Sequence, residues 1–387
     1  MENLKAFIFF IIIVLLVYGT TNYYLYRRIM QAASLSGTAQ VALMVLIWIA
    51  ISAFPLGHAL GEKFQISRIV TWIGAFWLAI MFYGVLIAVL IDLIRGIDML
   101  TGWLPNWVIN DRVQTGRLLL AVCGVGLLVL FTAGRIRTLY PVIREHRIEI
   151  KLPEGISEYN IAVISDVHLG VLVGPKQLNR IISMVNDLGA DICLVDGDLI
   201  DESPTRLEWA IDPLKQLDAP DGVWAVTGNH EFYAGLGKAQ RFIEDCGMML
   251  LRNEMVEIPD KIRLVGLDDE TGSRDIKSPF VPIKNILGGG DSVLPTVLMH
   301  HTPRRMKEAA GAGIDVMISG HTHAGQLWPT KYIVRAIFGV WQGLTTFRRP
   351  DGGMMSFFLM NGTGNWGPPM RIDATPDILH LILVDKK

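Results

Sequence analysis

Long uncharged runs fill the first third of the chain, and they restrict its fold more than any other feature. A helix that crosses a bilayer needs about 20 mostly apolar residues. Four segments qualify: Ala6–Tyr24, Ala39–Leu60, Ile69–Ile91 and Leu118–Ala133. The fourth is short, but Arg117 and Arg135 can snorkel from its ends. The first could instead be a signal peptide, but its apolar run is long, no A-x-A site follows it, and further spans come after it. The whole chain has 387 residues and is 51% hydrophobic, yet residues 146–387 read as an ordinary globular α/β domain. The expected division is a four-helix transmembrane region over 1–135, a linker over 136–154 and a folded domain over 155–387.

Loop charges set the orientation. Lys5, Lys63, Arg68, Arg135, Arg137, Arg144 and Arg147 fall on one side, and Arg27, Arg28, Arg95, Arg112 and Arg117 on the other. Seven against five places both termini, and the folded domain, in the cytoplasm of a multi-pass cell-membrane protein. Transport sites carry ionisable groups in mid-membrane. Here the third span has none until Asp92 at its end, and His58 sits near the end of the second, so the helices read as an anchor. The formal net charge of −2 gives no reason to expect nucleic acid as a partner. Cys123, Cys193 and Cys246 suggest no disulfide framework.

From Tyr159 the pattern becomes short β-rich runs alternating with helical stretches, as in a layered α/β domain. Strands are expected at Asn160–Ser165, Ile192–Asp196, Val223–Thr227, Ile262–Leu267, Thr296–His300, Val316–Ser319, Met354–Met360 and Ile378–Val384. Helices are expected at Lys176–Leu188, Thr205–Leu217, Lys238–Cys246 and Pro303–Ala310. Five of these strands end in polar clusters. They read Ser165-Asp166-Val167-His168, Asp196-Gly197-Asp198-Leu199-Ile200-Asp201, Gly228-Asn229-His230-Glu231, His300-His301-Thr302-Pro303 and Gly320-His321-Thr322-His323. In α/β sheets functional side chains gather beyond the carboxyl ends of strands. Carboxylate, imidazole and amide oxygen suit borderline to hard divalent ions, and no cysteine is among them, which argues against structural zinc. Asp198 can bridge two ions, and the glycines before Asp198, Asn229 and His321 allow unusual dihedrals and close backbone approach. Asp196 reads as a solvated or helix-capping carboxylate, and Asp201 as either an orienting partner or a helix cap.

In this order the clusters resemble the calcineurin-like metallophosphoesterase superfamily, in particular its membrane-associated bacterial branch. The resemblance covers about residues 155–387. It includes the run from Gly320 to Gln326 and the late Gly-Thr-Gly-x-Trp-Gly-Pro-Pro-x-Arg from Gly362 to Arg371. Ala324 departs from the pattern, standing where this branch often has glycine. The implied fold is a bundle of four transmembrane helices followed by an α/β metallophosphoesterase domain, a layered β-sandwich flanked by helices. Asp166, His168 and His323 would hold one ion. Asn229, His321 and His301 would hold the other, His301 being preferred over His300 because Thr302-Pro303 follows it. Asp198 would bridge both, and His230 would protonate the leaving oxygen or steady the transition state.

The implied cofactors are two divalent ions, manganese first, with iron, zinc or magnesium as alternatives. The implied reaction is cleavage of a phosphoester or pyrophosphate bond by a hydroxide shared between them. The partners are the lipid bilayer and a phosphorylated substrate. A lipid-linked substrate is suggested by the segment Lys331–Trp341, which mixes apolar and aromatic residues with Lys331 and Arg335, the composition of a stretch lying at an interface. Trp341 and Trp366 are expected to flank the cleft. Two other classes of function stand beside this one: a non-catalytic metal-binding sensor or scaffold on a membrane anchor, and a transporter with a regulatory phosphoesterase domain.

Overall fold

The computed structural model describes residues 2–60, 65–273, 280–288 and 293–386. It divides into two compact units, residues 1–133 and 134–387.

The first unit is helical: α1 Glu2–Ala33, α2 Gly37–Leu60, α3 Gln65–Thr101, the short α4 Asn106–Asn110, and α5 Arg112–Leu139, whose last turns belong to the second unit. Among the described residues three stretches are long and apolar enough to cross a membrane: Gly37–Gly57, Ile66–Thr101 and Arg112–Leu139. The expected span Ala6–Tyr24 lies inside α1, where the side chains of residues 2–8, 10 and 11 fall outside the described residues. The His58 side chain falls outside them too. A polar group among apolar helices must find a partner there. Asn22 does so: it accepts from Trp77 Nε1 at 2.8 Å and donates to the Tyr18 carbonyl at 2.8 Å.

The second unit holds two six-stranded sheets among the described residues. The first runs β1-β12-β2-β3-β4-β5, built from β1 Val142–Ile150, β2 Glu158–Ile164, β3 Ile192–Asp196, β4 Val223–Val226, β5 Met249–Leu250 and β12 Asp377–Asp385. The second runs β10-β11-β9-β8-β7-β6, from β6 Glu254–Ile258, β7 Ile262–Gly266, β8 Thr296–Met299, β9 Val316–Ser319, β10 Gly343–Arg348 and β11 Met354–Leu359. Strands β2 to β5 run parallel, as do β7, β8, β9 and β11, so within each sheet those carboxyl ends share one edge.

Residues alternate between two cores, as the two-residue period of a strand requires. Ile161 and Val163 face the second sheet, meeting Leu264, Val297 and Phe358. Ala162 and Ile164 face the helices α6 Pro175–Asn186, α7 Glu208–Leu214 and α9 Leu236–Asp245, with Leu178, Ala210 and Phe242. With both faces covered, all five residues of β3 are buried. Outside the second sheet, α11 Ile283–Leu287 and α12 Met306–Gly311 close a third cluster through Ile283 and Ala309. Each fully buried Leu, Ile or Val contributes about 1.5–3 kcal/mol. The short α8 Asn229–Tyr233 and α10 Glu270–Ser273, and the later α13 Lys331–Phe338, sit in connections that follow strands.

Every strand expected from sequence is present, and the sheets add β1, β5, β6 and β10. The stretch expected as a linker, 136–154, is corrected: it contains the nine-residue edge strand β1, paired in register with β12 from Val142↔Asp377 to Ile150↔Asp385. Only Tyr140 and Pro141 separate α5 from β1.

Candidate metal centre

Six connections converge where the two sheets present their carboxyl ends. The turn after β2 carries Asp166 and His168, and that after β3 carries Asp198 and Asp201. The turn after β4 carries Asn229 and His230, that after β8 carries His301, and that after β9 carries His321 and His323. The sixth, after β11, brings Arg371.

These turns are tight. Asp166, His168, Asp198, His321 and His323 all have φ between 49° and 70°. Non-glycine residues in that region carry on the order of 1–3 kcal/mol of strain each, and such residues cluster at functional sites. Two glycines make the crowding possible. A Cβ on Gly320 would lie 1.9 Å from Ser165 Oγ, and one on Gly228 would lie 2.2 Å from Asp198 Oδ1.

Among the described residues the side chains form three overlapping groups able to hold a metal ion: Asp166, His168 and His323; His168, Asp198 and His230; and Asp198, His301 and His321. Asp198 belongs to two of them. His168 Nε2 and His323 Nε2 face each other at 3.1 Å, and His323 Nε2 lies 3.5 Å from Asp166 Oδ1. On the other side His301 Nε2 lies 3.1 Å from Asp198 Oδ2, and His321 Nδ1 lies 2.9 Å from Asn229 Oδ1. His301 Nδ1 lies 2.7 Å from the Asp196 carbonyl, where it donates, so Nε2 is the nitrogen turned towards the carboxylates. That atom is buried without a hydrogen-bond partner. Buried acceptors that converge without donors between them suit a cation. The donor set of oxygen and imidazole fits a divalent ion.

Charge balance points the same way. Burial opposes a proton on His301, but the carboxylates of Asp198, Asp166 and Asp269 outweigh it and hold its pKa well above the usual value. Burial would also raise Asp198, but His301, His230 and His168 outweigh it and keep Asp198 ionised, well below its usual range.

The neighbouring His300 is separate. Both its ring nitrogens are buried without partners, and burial pushes its pKa down to about 4. Asp196 departs from expectation. It is neither solvated nor a cap but fully buried, with neither carboxylate oxygen hydrogen-bonded, and burial holds its pKa well above the carboxylate range. Its place one residue before Gly197 did not disclose that burial. Asp201 Oδ1 lies 2.9 Å from His230 Nδ1 and 3.6 Å from His168 Nδ1. Burial would lower the His230 pKa, but the hydrogen bond to Asp201 and the charge of Asp198 outweigh it and push it up to about 9. The His230 ring also meets Tyr233 and Trp366, with centroids 5.5 and 5.8 Å away. Trp341 packs against Lys331 instead, the ammonium lying 5.2 Å from its ring.

The profile of the calcineurin-like phosphoesterases matches residues 159–325. An uncharacterized metallophosphoesterase of Aquifex aeolicus is 31% identical over 255 residues, which cover 65% of this chain and 95% of that one. The chain belongs to the calcineurin-like phosphoesterase family. A Danio rerio transmembrane protein with a metallophosphoesterase domain is 33% identical over 244 residues, 60% of this chain and 55% of its own length. The matched region thus spans little more than half of that relative. A Campylobacter jejuni metallophosphoesterase, also uncharacterized, is 27% identical over 391 residues, covering 98% of this chain and all of that one.

Two residues at this site take no role from the sequence. Glu231, fully buried, accepts the backbone N–H groups of Asp198, Leu199, Ile200 and Gly228 at 2.7–3.3 Å, and so ties two of the site's turns together. Arg371, also fully buried, donates to the His323 carbonyl at 3.1 Å and meets His323 Nδ1 at 3.0 Å. It donates as well to the carbonyls of Asn361, Gly362 and Gly364. The signal was present in both cases: an acid directly after Asn229-His230, and the arginine that ends the late motif.

Proposed function

We propose that the protein is a membrane-anchored phosphohydrolase that uses two divalent ions to cleave a phosphoester or pyrophosphate bond of a lipid-linked substrate. The observation that carries this reading is the chain of overlapping ligand groups, in which His168 links Asp166 and His323 to Asp198, and Asp198 links these in turn to His301 and His321. Asp166, His168 and His323 would hold one ion, Asn229, His301 and His321 the other, with Asp198 between them. Bound there, the ions would supply Lewis acidity, drawing charge from phosphoryl oxygens and acidifying water.

The chain's own groups do the rest. Asp201 fixes the proton on His230 Nδ1, leaving Nε2 to hand a proton to the leaving oxygen. Glu231 and Arg371 hold the turns so that the ligands need little reorganisation. A cavity of about 550 Å³ opens beside the site, its walls mainly apolar through Met306, Phe338, Val340 and Phe347, with Arg305, Lys307 and Glu308 also lining it. Phe338 lies at its edge, its ring centroid 6.2 Å from that of His321. That cavity suits an apolar tail.

Purified protein with Mn²⁺ should hydrolyse an activated phosphodiester, and Asp198→Ala should abolish it, since both ions depend on that side chain. His230→Ala should keep its metal content but lose about 10²–10⁴-fold in rate. Loss of both ions in His230→Ala would make His230 a ligand rather than an acid.

The reading includes α1 as a fourth span and places the catalytic domain in the cytoplasm, supported by the seven-to-five loop charges. A reporter fused after Lys387 that is active only outside the membrane would reverse that orientation.

A further inference from the structure

Between α1, α3 and α5 of the first unit lies a groove of about 220 Å³. Its two ends differ in chemistry. At one end stand Arg28, Asp92 and Arg95. Arg28 pairs with Asp92, and Tyr24 donates to the same carboxylate oxygen at 2.6 Å. Arg28 Nε is buried with no hydrogen-bond partner. Two guanidiniums against one carboxylate leave a net positive charge and an unused donor. Away from that end the walls are apolar, with Leu25, Gly84, Gly124 and Leu127 among them.

The groove's length fits one leaflet. Its α5 wall runs from Gly116 to Leu127, eleven residues on, or about 16 Å at 1.5 Å per residue. Half of a hydrocarbon core of about 30 Å is about 15 Å. The charged end lies towards Gly116, where Arg117 Nε donates to the Ala33 carbonyl at the carboxyl end of α1. Arg27, Arg28, Arg95, Arg112 and Arg117 all fall at this end of their helices, the level where headgroups sit.

We infer that this groove is a binding site for one anionic phospholipid. Its phosphodiester would accept from Arg28 and Arg95, and an acyl chain would lie along the apolar walls. The single negative charge of the phosphodiester matches the net positive charge of the three side chains. A zwitterionic lipid adds an ammonium to that end and loses the match. This inference does not depend on the phosphohydrolase reading, since it concerns the helical unit alone.

The test uses the full-length, delipidated protein in non-ionic detergent, titrated in native mass spectrometry with phosphatidylglycerol or phosphatidylethanolamine of the same acyl chains. One phosphatidylglycerol should bind per chain, at least fivefold more tightly than phosphatidylethanolamine. Arg95→Gln should weaken phosphatidylglycerol about fivefold, the effect of about 1 kcal/mol per basic residue near anionic lipid, and leave phosphatidylethanolamine unchanged. A Cβ on Gly124 meets nothing within 4 Å, so Gly124→Leu should fill the groove and abolish both complexes while leaving the melting temperature in place. Equal affinity for the two lipids would overturn the inference. So would phosphatidylglycerol binding that neither substitution alters, or a lipid-free dimer that Gly124→Leu dissociates, which would make the occupant a second copy.

Discussion

Asp377 is the first residue of β12, and its carboxyl group lies 3.0 Å from Arg144 Nε and accepts the Asn361 N–H at 2.9 Å. Burial still dominates and pushes its pKa up to about 7. An unfolded aspartate titrates near 3.9. The folded state therefore holds this proton more tightly. The stability it contributes is complete below about pH 4 and is lost as pH rises through about 7, a change on the order of a few kcal/mol. Asn in its place keeps an acceptor for Asn361 but cannot titrate. Melting of the purified protein at pH 5 and pH 8 should show wild type losing several degrees more than Asp377→Asn. Identical losses would mean that Asp377 does not carry its charge as described. The same contrast between burial and partners distinguishes His301 from His300. Sequence left the two adjacent and chemically alike. Beyond the end of β8 the chain brings the His301 ring to Asp198, while both ring nitrogens of His300 are buried without a hydrogen-bond partner.

At the scale of elements, legibility followed burial. Ile192-Cys193-Leu194-Val195 and Val316-Met317-Ile318 are short apolar runs covered on both faces, and both emerge as strands at the expected residues. Strand β1 was hidden because Arg144, Glu145, Arg147 and Glu149 break its pattern; as an edge strand it is only partly buried and tolerates those charges. Strand β10, Gly343–Arg348, is likewise an edge with alternating exposure, and β5 is two residues long, too short for any period to show. The site was more legible than its frame. Its residue types stand at the ends of the runs that read most clearly, whereas the positive φ values and the Glu231 and Arg371 supports depend on long-range packing that no local pattern encodes. For α13 the sequence offers composition alone. Its fold shows which residues turn outward: Tyr332, Ile333 and Ile337 are 59–65% exposed, while Lys331 pairs with Asp373 at 2.8 Å.

Considered as a whole, the chain carries candidate membrane spans followed by a domain of the calcineurin-like phosphoesterase family. Two residues separate α5 from β1, so the domain begins where a span ends. Beside His230 the surface is aromatic, with Tyr233 and Trp366 each more than half exposed, and α13 turns Tyr332, Ile333 and Ile337 outward. Apolar surface grouped in this way marks a contact with protein, membrane or ligand. Tryptophan and tyrosine accompanied by Lys331 and Arg335 is the mixture found at bilayer interfaces. A substrate with a phosphorylated head and an apolar tail would use the candidate metal centre and the Phe338 cavity together, whereas a water-soluble phosphate would leave the cavity idle. Burying a tail against a phenylalanine-sized surface contributes about 1.5–3 kcal/mol, or roughly ten- to a hundredfold in kcat/KM. The purified protein in detergent should therefore turn over a lipid-linked pyrophosphate at least tenfold more efficiently than a short-chain soluble analogue with the same headgroup. Phe338→Ser should bring the lipid value down towards that of the analogue while leaving the analogue's own turnover within about twofold. Ile337→Ser, on the outward face, should weaken only the reaction at a lipid surface. Equal turnover of the two substrates in wild type, unchanged by either substitution, would confine the recognised chemistry to the phosphate and remove the lipid from the proposal.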